Sequence, residues 1–200
     1  MEAAFEIGKS KHSSSLYHQD ENIKLSLTSS RRKELFKDSR PFVRRYDPSD
    51  LGFLWSAYKN ESFPMMGKGL TQEEFLEDMT KHFGAFNLLW IIEDENSQFK
   101  SGRGQISLVG IRTDGWVFEP MIYFFRWATE DNILRAMVAF FHMLRYQKDV
   151  GVCLVRAIEN ERSIYDRMKD YGVLYFRGRV PYGHPSGDAF LYSINGRKGT

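Results

Sequence analysis

A long amphipathic helix flanked by two apolar strands constrains the fold of this 200-residue chain more than any other feature. Apolar segments at Trp116–Trp127 and Val152–Ile158 have the composition of strands, and the segment between them, from about Glu130 to Lys148, has helical periodicity. A helix that connects two strands of one sheet is typical of a right-handed crossover, so we predict that these strands are parallel neighbours. The apolar face of the helix is predicted to comprise Ile133, Leu134, Met137, Val138, Phe140, Phe141 and Leu144.

Short strands and helices surround this unit from Pro41 onward. Asp47-Pro48 and Thr71 are predicted to begin two helices, and Asp114-Gly115 is typical of a hairpin. Such an order predicts an α/β (α+β) fold with one mixed sheet and helices on both faces. The remaining strands are predicted at Pro41–Tyr46, Leu88–Glu93, Gln105–Arg112, Val173–Val180 and Asp188–Ile194, with a Pro181–Gly187 turn and a further helix at Glu161–Tyr171.

Residues 1–40 differ from the rest of the chain. They contain eight Ser, eight Lys or Arg and six Asp or Glu, and their apolar residues follow neither helical nor strand periodicity. We therefore predict a polar N-terminal extension at 1–40, mobile alone or ordered by a protein partner, and a domain at 41–200. Arg31-Arg32-Lys33 would either contact an acidic surface or belong to a solvated tail.

Composition excludes several classes of protein. Cys153 is the single cysteine, which excludes an internal disulfide and a zinc site built on paired cysteines, and the five histidines show no metal-ligand spacing. A net charge of +2 gives no electrostatic case for nucleic acid or a membrane as partner. A basic cluster near the C-terminus leaves a nucleic-acid surface open, although a solvated face is favoured; it comprises Arg177, Arg179, Arg197 and Lys198 beside Tyr175 and Phe176. Without a signal peptide or an apolar run of about 20 residues, the predicted location is cytoplasmic.

The segment from Asn160 to Val173 resembles a motif of the GCN5-related N-acetyltransferase superfamily. Members of that superfamily place Asn at the end of the fifth strand, a small residue three positions later, and a helix that ends in Gly and a hydrophobic residue. Asn160, Ser163, Gly172 and Val173 match that outline. The order of elements over residues 41–195 is similar as well. The ending Tyr171–Tyr192 resembles small phage-encoded members, which would place the protein in a host cytoplasm or a virion.

This resemblance implies a mostly antiparallel sheet with a central parallel strand pair, the acyl-CoA N-acyltransferase fold. It also implies transfer of an acetyl group from acetyl-CoA to an amine that the sequence does not specify. Main-chain groups of the fourth strand would hold the pantetheine, and the next helix would receive the pyrophosphate at its N-terminus. The implied cofactor-binding residues are Phe124, Phe125, Arg126, Thr129, Asn132, Asn160 and Ser163.

Two residues are candidates for the proton transfers. Glu119 is the candidate base, because burial within an apolar strand would raise its pKa; alternatively it faces solvent or pairs with an arginine. Tyr171 is the candidate acid for the thiolate, since eleven residues along a helix return it to the face of Asn160; alternatively it is a core or rim tyrosine. Members of the superfamily commonly carry Tyr seven residues after the Asn, where this chain has Arg167.

The predicted phosphate loop departs from the superfamily pattern. Residues 126–132 contain no glycine, and Glu130 and Asp131 occupy the first helical turn, where they would repel a pyrophosphate. Thr129 would equally serve as an ordinary N-cap. The alternative function is therefore a non-catalytic binding or structural protein on the same fold, associated with a virion if phage-encoded.

Overall fold

The computed structural model describes residues 29–60, 69–84, 88–94, 104–114, 117–146 and 152–195. A 3-10 turn (Pro48–Asp50) precedes the first long helix, and residues 29–35 are helical. The helices are α1 (Leu51–Lys59), α2 (Gln72–Phe83), α3 (Glu130–Arg145) and α4 (Glu159–Asp170). The strands are β1 (Phe42–Arg45), β2 (Leu88–Glu93), β3 (Gln105–Asp114), β4 (Val117–Phe124), β5 (Val152–Ala157), β6 (Tyr175–His184) and β7 (Gly187–Asn195).

The strands form one mixed sheet in the order β1-β2-β3-β4-β5-β7-β6. Neighbouring strands are antiparallel except β4 and β5, which are parallel and are connected through α3. This arrangement confirms the predicted fold class and the predicted parallel pair at the centre of the sheet.

Helices cover the two faces of the sheet unequally. α3 and α4 pack on one face, where Phe140, Phe141 and Met168 are fully buried against β5 and β7 residues such as Val155 and Tyr192. α1 and α2 cover the other face only over β2 to β4, through a second cluster that includes Leu54, Phe75, Ile91, Leu108 and Phe125. On that second face the sheet beyond β4 is left without a helix from the described part of the chain.

Capping signals in the sequence placed the helix starts well. Asp47 accepts a hydrogen bond from the Ser49 N–H, and Thr71 forms a capping box with Glu74, as the predicted helix starts require. The predicted Pro181–Gly187 turn is narrower in the structure, where only residues 185 and 186 form it, because β6 continues through Pro181 to His184. An edge strand accommodates proline, since the missing N–H would face away from its partner. Gly115 of the predicted hairpin lies outside the described residues.

The last residues of the predicted extension pack on the domain, which corrects the expectation that residues up to 40 stand apart from it. Leu35 and Phe36 lie against the core cluster beneath α3. Ser39 donates a hydrogen bond to the buried Asp94 (3.1 Å) and accepts one from Arg135. Residues 29–35 make too few helical turns for periodicity to reveal them in the sequence. Of the helices within the described ranges, none is long and apolar enough to cross a bilayer.

Truncation should separate the two parts of the predicted extension. Removing residues 1–28 should shift the midpoint of thermal unfolding by only a few degrees, as surface segments usually do. Removing residues 1–40 also deletes Ser39 and exposes the core beneath Phe36, so it should cost about 2–4 kcal/mol more. Thermal and urea melts of both truncations measure the difference. Equal stability of the two would contradict the packing described for residues 29–40.

Cys153 should be unreactive in the folded protein. Burial, with a smaller contribution from the charge of Glu119, raises the pKa of its thiol to about 12, and the side chain is fully buried. Because the thiolate is the reactive species, a thiol reagent should label Cys153 only as fast as the protein unfolds. Labelling of native protein at pH 8, followed by mass spectrometry, tests this, and rapid labelling there would contradict it.

Candidate functional site

The candidate site is an opening in the sheet between β4 and β5. Within the described residues, the two strands pair at Val117–Val152 and Phe118–Cys153. Both then continue, β4 to Phe124 and β5 to Ala157, with no further pairing between them. The parallel pair therefore splits toward its carboxyl end, and α3 begins directly beyond the end of β4.

Pro120 explains where the pairing stops. Phe125 donates its N–H to the carbonyl of its β3 partner Ile106 (3.1 Å), so by strand alternation odd-numbered residues of β4 bond to β3. Even-numbered residues direct their main-chain groups toward β5, and at Pro120 the N–H is missing. The free main-chain groups of Ile122 and Phe124 consequently face the split. The sequence analysis missed this, although a proline in mid-strand was the available signal.

The loop that leads from β4 into α3 is held by aromatic packing. Trp127 stacks on Phe125 (4.7 Å between centroids), and Phe53 of α1 meets Phe125 edge-on at 5.4 Å. The Trp127 indole N–H donates to the Gln105 carbonyl at 2.8 Å. This loop thus has a fixed path without glycine, whereas a glycine-rich loop obtains its close approach to phosphates from the absence of side chains.

The expected role of Phe125 in cofactor binding is wrong, because the protein itself occupies the groups involved. Its side chain is buried, its N–H donates to Ile106, and its carbonyl accepts from Ala128 at 2.9 Å. Phe124 is half-buried with its main chain toward the split, and Arg126 is exposed in the loop. The cofactor-binding roles of Phe124 and Arg126 stay predictions.

Asn132 and Thr129 serve the start of α3 rather than an open site. The Thr129 hydroxyl accepts the Asn132 N–H (3.2 Å) and donates to the Asn132 side-chain oxygen (2.8 Å). The Asn132 amide nitrogen donates to Asp94 at 3.3 Å, and the residue is buried. Asn132 is therefore corrected to a structural role, and the N-cap interpretation of Thr129 is confirmed. The capping box engages the main-chain N–H groups of Thr129 and Asn132. At this helix start, the N–H groups of Glu130 and Asp131 are the ones that the cap does not engage.

An ion pair joins the two helices beside the split. Arg167 of α4 donates to Glu130 at the start of α3. Arg167 is the residue found where the superfamily commonly has tyrosine, so a cation approaches the helix start from α4. One of the two carboxylates expected to repel a pyrophosphate is thereby paired, while Asp131 is exposed.

Asn160 and Ser163 lie in the first turns of α4, not at the end of β5, and their predicted binding role stays a prediction. Both are exposed near the start of α4, which follows the carboxyl end of β5. The open ends of β4 and β5 and the starts of α3 and α4 thus lie at the same end of the sheet. Among the described residues, no group of three His, Cys, Asp or Glu side chains could hold a metal ion.

Glu119 lies at the mouth of the split and is not buried, so the expectation that it is buried within the strand is wrong. Its side chain is 49% exposed and its carboxylate lies 3.8 Å from the guanidinium of Arg156. Arg112 is its direct cross-strand partner on β3. Phe118 and Ile122 point to the α3 face, so alternation turns Glu119 to the opposite face, where α1 and α2 do not cover it.

Tyr171 is too far from the split to protonate a thiolate there. It caps the far end of α4, eleven residues after Asn160, which at 1.5 Å per residue is about 16 Å along the axis. Its neighbours are Arg31, Glu34, Leu35 and Asp170. The axial rise along α4 separates Tyr171 from the split, so the predicted acid role is wrong.

Solved structures share this architecture at very low sequence identity. The spermidine N-acetyltransferase from Vibrio cholerae, in complex with CoA and spermine, is 15% identical with a TM-score of 0.53, covering 78% of this chain and 95% of that one. The ribosomal-protein-S18-alanine N-acetyltransferase from Escherichia coli is 8% identical with a TM-score of 0.50, covering 80% of this chain and 96% of that one. The fold is that of the GCN5-related N-acetyltransferases. No family model and no curated protein matches the sequence.

Replacing Asn132 by alanine should destabilise the fold. The substitution removes the side-chain half of the capping box and leaves the buried Asp94 with one donor fewer, which should cost about 2 kcal/mol. Asn160→Ala is the matched control, because Asn160 is exposed, and should change the stability by less than about 0.5 kcal/mol. Urea unfolding measures both. Equal losses in the two variants would contradict the structural role of Asn132.

Proposed function

We propose that this protein transfers an acetyl group from acetyl-CoA to an amine, with the carrier in the split between β4 and β5. The observation that carries the proposal is that this parallel pair ends after Phe118 and Cys153 while both strands continue. An extended pantetheine can lie between β4 and β5 where the two strands no longer pair. It would use the main-chain groups of Ile122 and Phe124 that face the split. The Vibrio cholerae structure with bound CoA shows that this fold accommodates the carrier.

Phosphate contacts would come from the starts of the two helices. The main-chain N–H groups of Glu130 and Asp131 and the positive end of the α3 dipole favour an anion there. Arg126 and Arg167 supply cationic side chains, and Asn160 and Ser163 border the same opening from α4. Arg167 would exchange Glu130 for a phosphate oxygen when the carrier binds.

Glu119 is the proposed base. The ammonium form of the acceptor transfers a proton to its carboxylate, and the amine lone pair then attacks the thioester carbonyl. The attacking nitrogen loses its second proton to solvent, collapse of the tetrahedral intermediate breaks the C–S bond, and the departing thiolate takes up a proton from solvent. Arg156, whose guanidinium lies 3.8 Å from the Glu119 carboxylate, and the cross-strand residue Arg112 place positive charge beside the proposed base. The acceptor would enter over the face that α1 and α2 leave uncovered.

A non-catalytic binding or structural protein on this fold is the second candidate. It is favoured by the start of α3, where Thr129 and Asn132 form a complete cap, two carboxylates occupy the first turn, and the preceding loop contains no glycine. The resemblance to phage-encoded members, with a host-cytoplasmic or virion location, stays a prediction, as does a protein partner for the N-terminal extension.

Calorimetric titration with acetyl-CoA tests the proposal. Native affinity should be weak, because Asp131 and the paired Glu130 lie where the pyrophosphate would bind. The double variant Glu130→Gln/Asp131→Asn removes two negative charges, each worth on the order of 1 kcal/mol at about 4–6 Å in a solvated setting. Binding should therefore tighten about tenfold or more. Glu73→Gln, in the first turn of α2, is the matched control and should leave the affinity unchanged.

The outcomes separate the two candidates. If neither the native protein nor the double variant binds at millimolar acetyl-CoA, the split is not a carrier site and the non-catalytic candidate replaces the transferase. If the native protein already binds at micromolar concentration, the carrier site is supported and the charge argument about Glu130 and Asp131 is wrong.

A further inference from the structure

A basic cavity lies against the C-terminal half of α3. Its volume is about 420 Å³, within the range of pockets that hold small molecules. One wall is the N-terminal helical segment, residues 29–35, with the turn that follows it, and the other is α3. The lining residues are Ser29, Arg32, Lys33, Phe36, Arg40 and His142.

The residues that line this cavity give it an excess of positive charge. Three lining side chains are cationic, and none of the lining residues in the described part of the chain is acidic. Two nearby carboxylates are already engaged elsewhere: Glu34 binds Lys37 at 2.7 Å, and Asp170 lies 3.6 Å from Arg31. The cavity therefore carries net positive charge.

Individual contacts show which cations could accept a ligand. The Arg32 guanidinium donates to the Tyr171 carbonyl, which fixes that side chain at the cavity wall. The Arg40 guanidinium lies over the Phe36 ring, 5.7 Å from its centroid, and the residue is exposed at the cavity. Within the described ranges Lys33 makes no hydrogen bond and no ion pair, and it is exposed.

The pKa of His142 reflects the positive charges around this cavity. Burial lowers the pKa of its imidazole, and the charges of Arg32, Arg40 and Arg145 lower it further. Arg145 and Tyr146 approach from its own helix, and Arg32 and Arg40 approach from the N-terminal segment. Like charges are thus held close together, and an anion in the cavity would relieve their repulsion.

We propose that this cavity binds a phosphate-bearing small molecule through Arg32, Lys33 and Arg40. Guanidinium groups match phosphate oxygens in a two-pronged geometry, and several cations favour a multiply charged group over a single carboxylate. The Phe36 and His142 rings provide an apolar surface for the organic part. This site is separate from the split, since His142 lies twelve residues from Glu130, about 18 Å along α3.

Titration of the full chain with pyrophosphate tests the proposal. The double variant Lys33→Gln/Arg40→Gln should bind pyrophosphate about tenfold or more weakly, because two of the cations that hold it are gone. Lys37→Gln is the matched control: Lys37 belongs to the same segment, does not line the cavity and is paired with Glu34. It should leave the affinity unchanged. Thermal melts verify that the variants are folded.

Two results would overturn the proposal. One is the absence of pyrophosphate binding by the native protein at millimolar concentration. The other is equal binding by the native protein and the double variant, which would place the anion elsewhere, for example at the start of α3. Neither result depends on whether acetyl-CoA binds at the split.

An NMR titration provides a second measurement on the unaltered protein. Saturating pyrophosphate should raise the pKa of His142, because a nearby anion favours the imidazolium form. The His142→Gln variant identifies the resonance by its loss. A His142 pKa that is the same with and without bound pyrophosphate would also overturn the proposal.

Discussion

The split of β4 from β5 depends on one missing hydrogen-bond donor. Pro120 comes two residues after Phe118, the last residue of β4 that pairs with β5, and its ring occupies the position where an N–H toward β5 would extend the ladder. The residues beyond it pair with β3 but have no strand partner on the β5 side. Unpaired backbone groups at the centre of a sheet are costly unless water or a ligand satisfies them, which makes this opening the natural place for an extended ligand.

A buried polar network sets the position of α3 relative to the sheet. Asp94, at the end of β2, accepts hydrogen bonds from Ser39 and Asn132 and lies 3.4 Å from the Arg135 Nε. Breaking such a network by removing one partner leaves a buried charge without compensation, so each member holds the others in place. The helix start beside the split is therefore fixed by contacts to β2 and to the N-terminal segment. A glycine-rich loop would depend instead on its own turn geometry.

Sequence patterns predicted the order of elements and the parallel pair, because apolar periodicity and caps such as Thr71 are local signals. The site was predicted less well. The errors concern the direction in which a side chain points and the distance between residues on one helix. Glu119 turned out exposed, since Phe118 and Ile122 take the buried face and alternation leaves it the other. Tyr171 was misplaced because a shared helical face says nothing about axial separation. The Thr129-x-x-Asn132 cap could be recognised in the sequence. The hydrogen bond from Asn132 to Asp94 joins residues 38 apart, so only the structure could reveal it.

The last strand also determines how this sheet meets other molecules. β6 forms one edge of the sheet, and an open edge is a template onto which another chain can add by main-chain pairing. Pro181 interrupts the row of donors, the register shifts between Phe176 and Gly178 and between Val180 and His184, and Arg177 and Arg179 place charge along the strand. These features make β6 a poor template for edge-to-edge association. The exposed aromatic residues Tyr175 and Phe176 can consequently remain at the surface without recruiting further copies into fibrils.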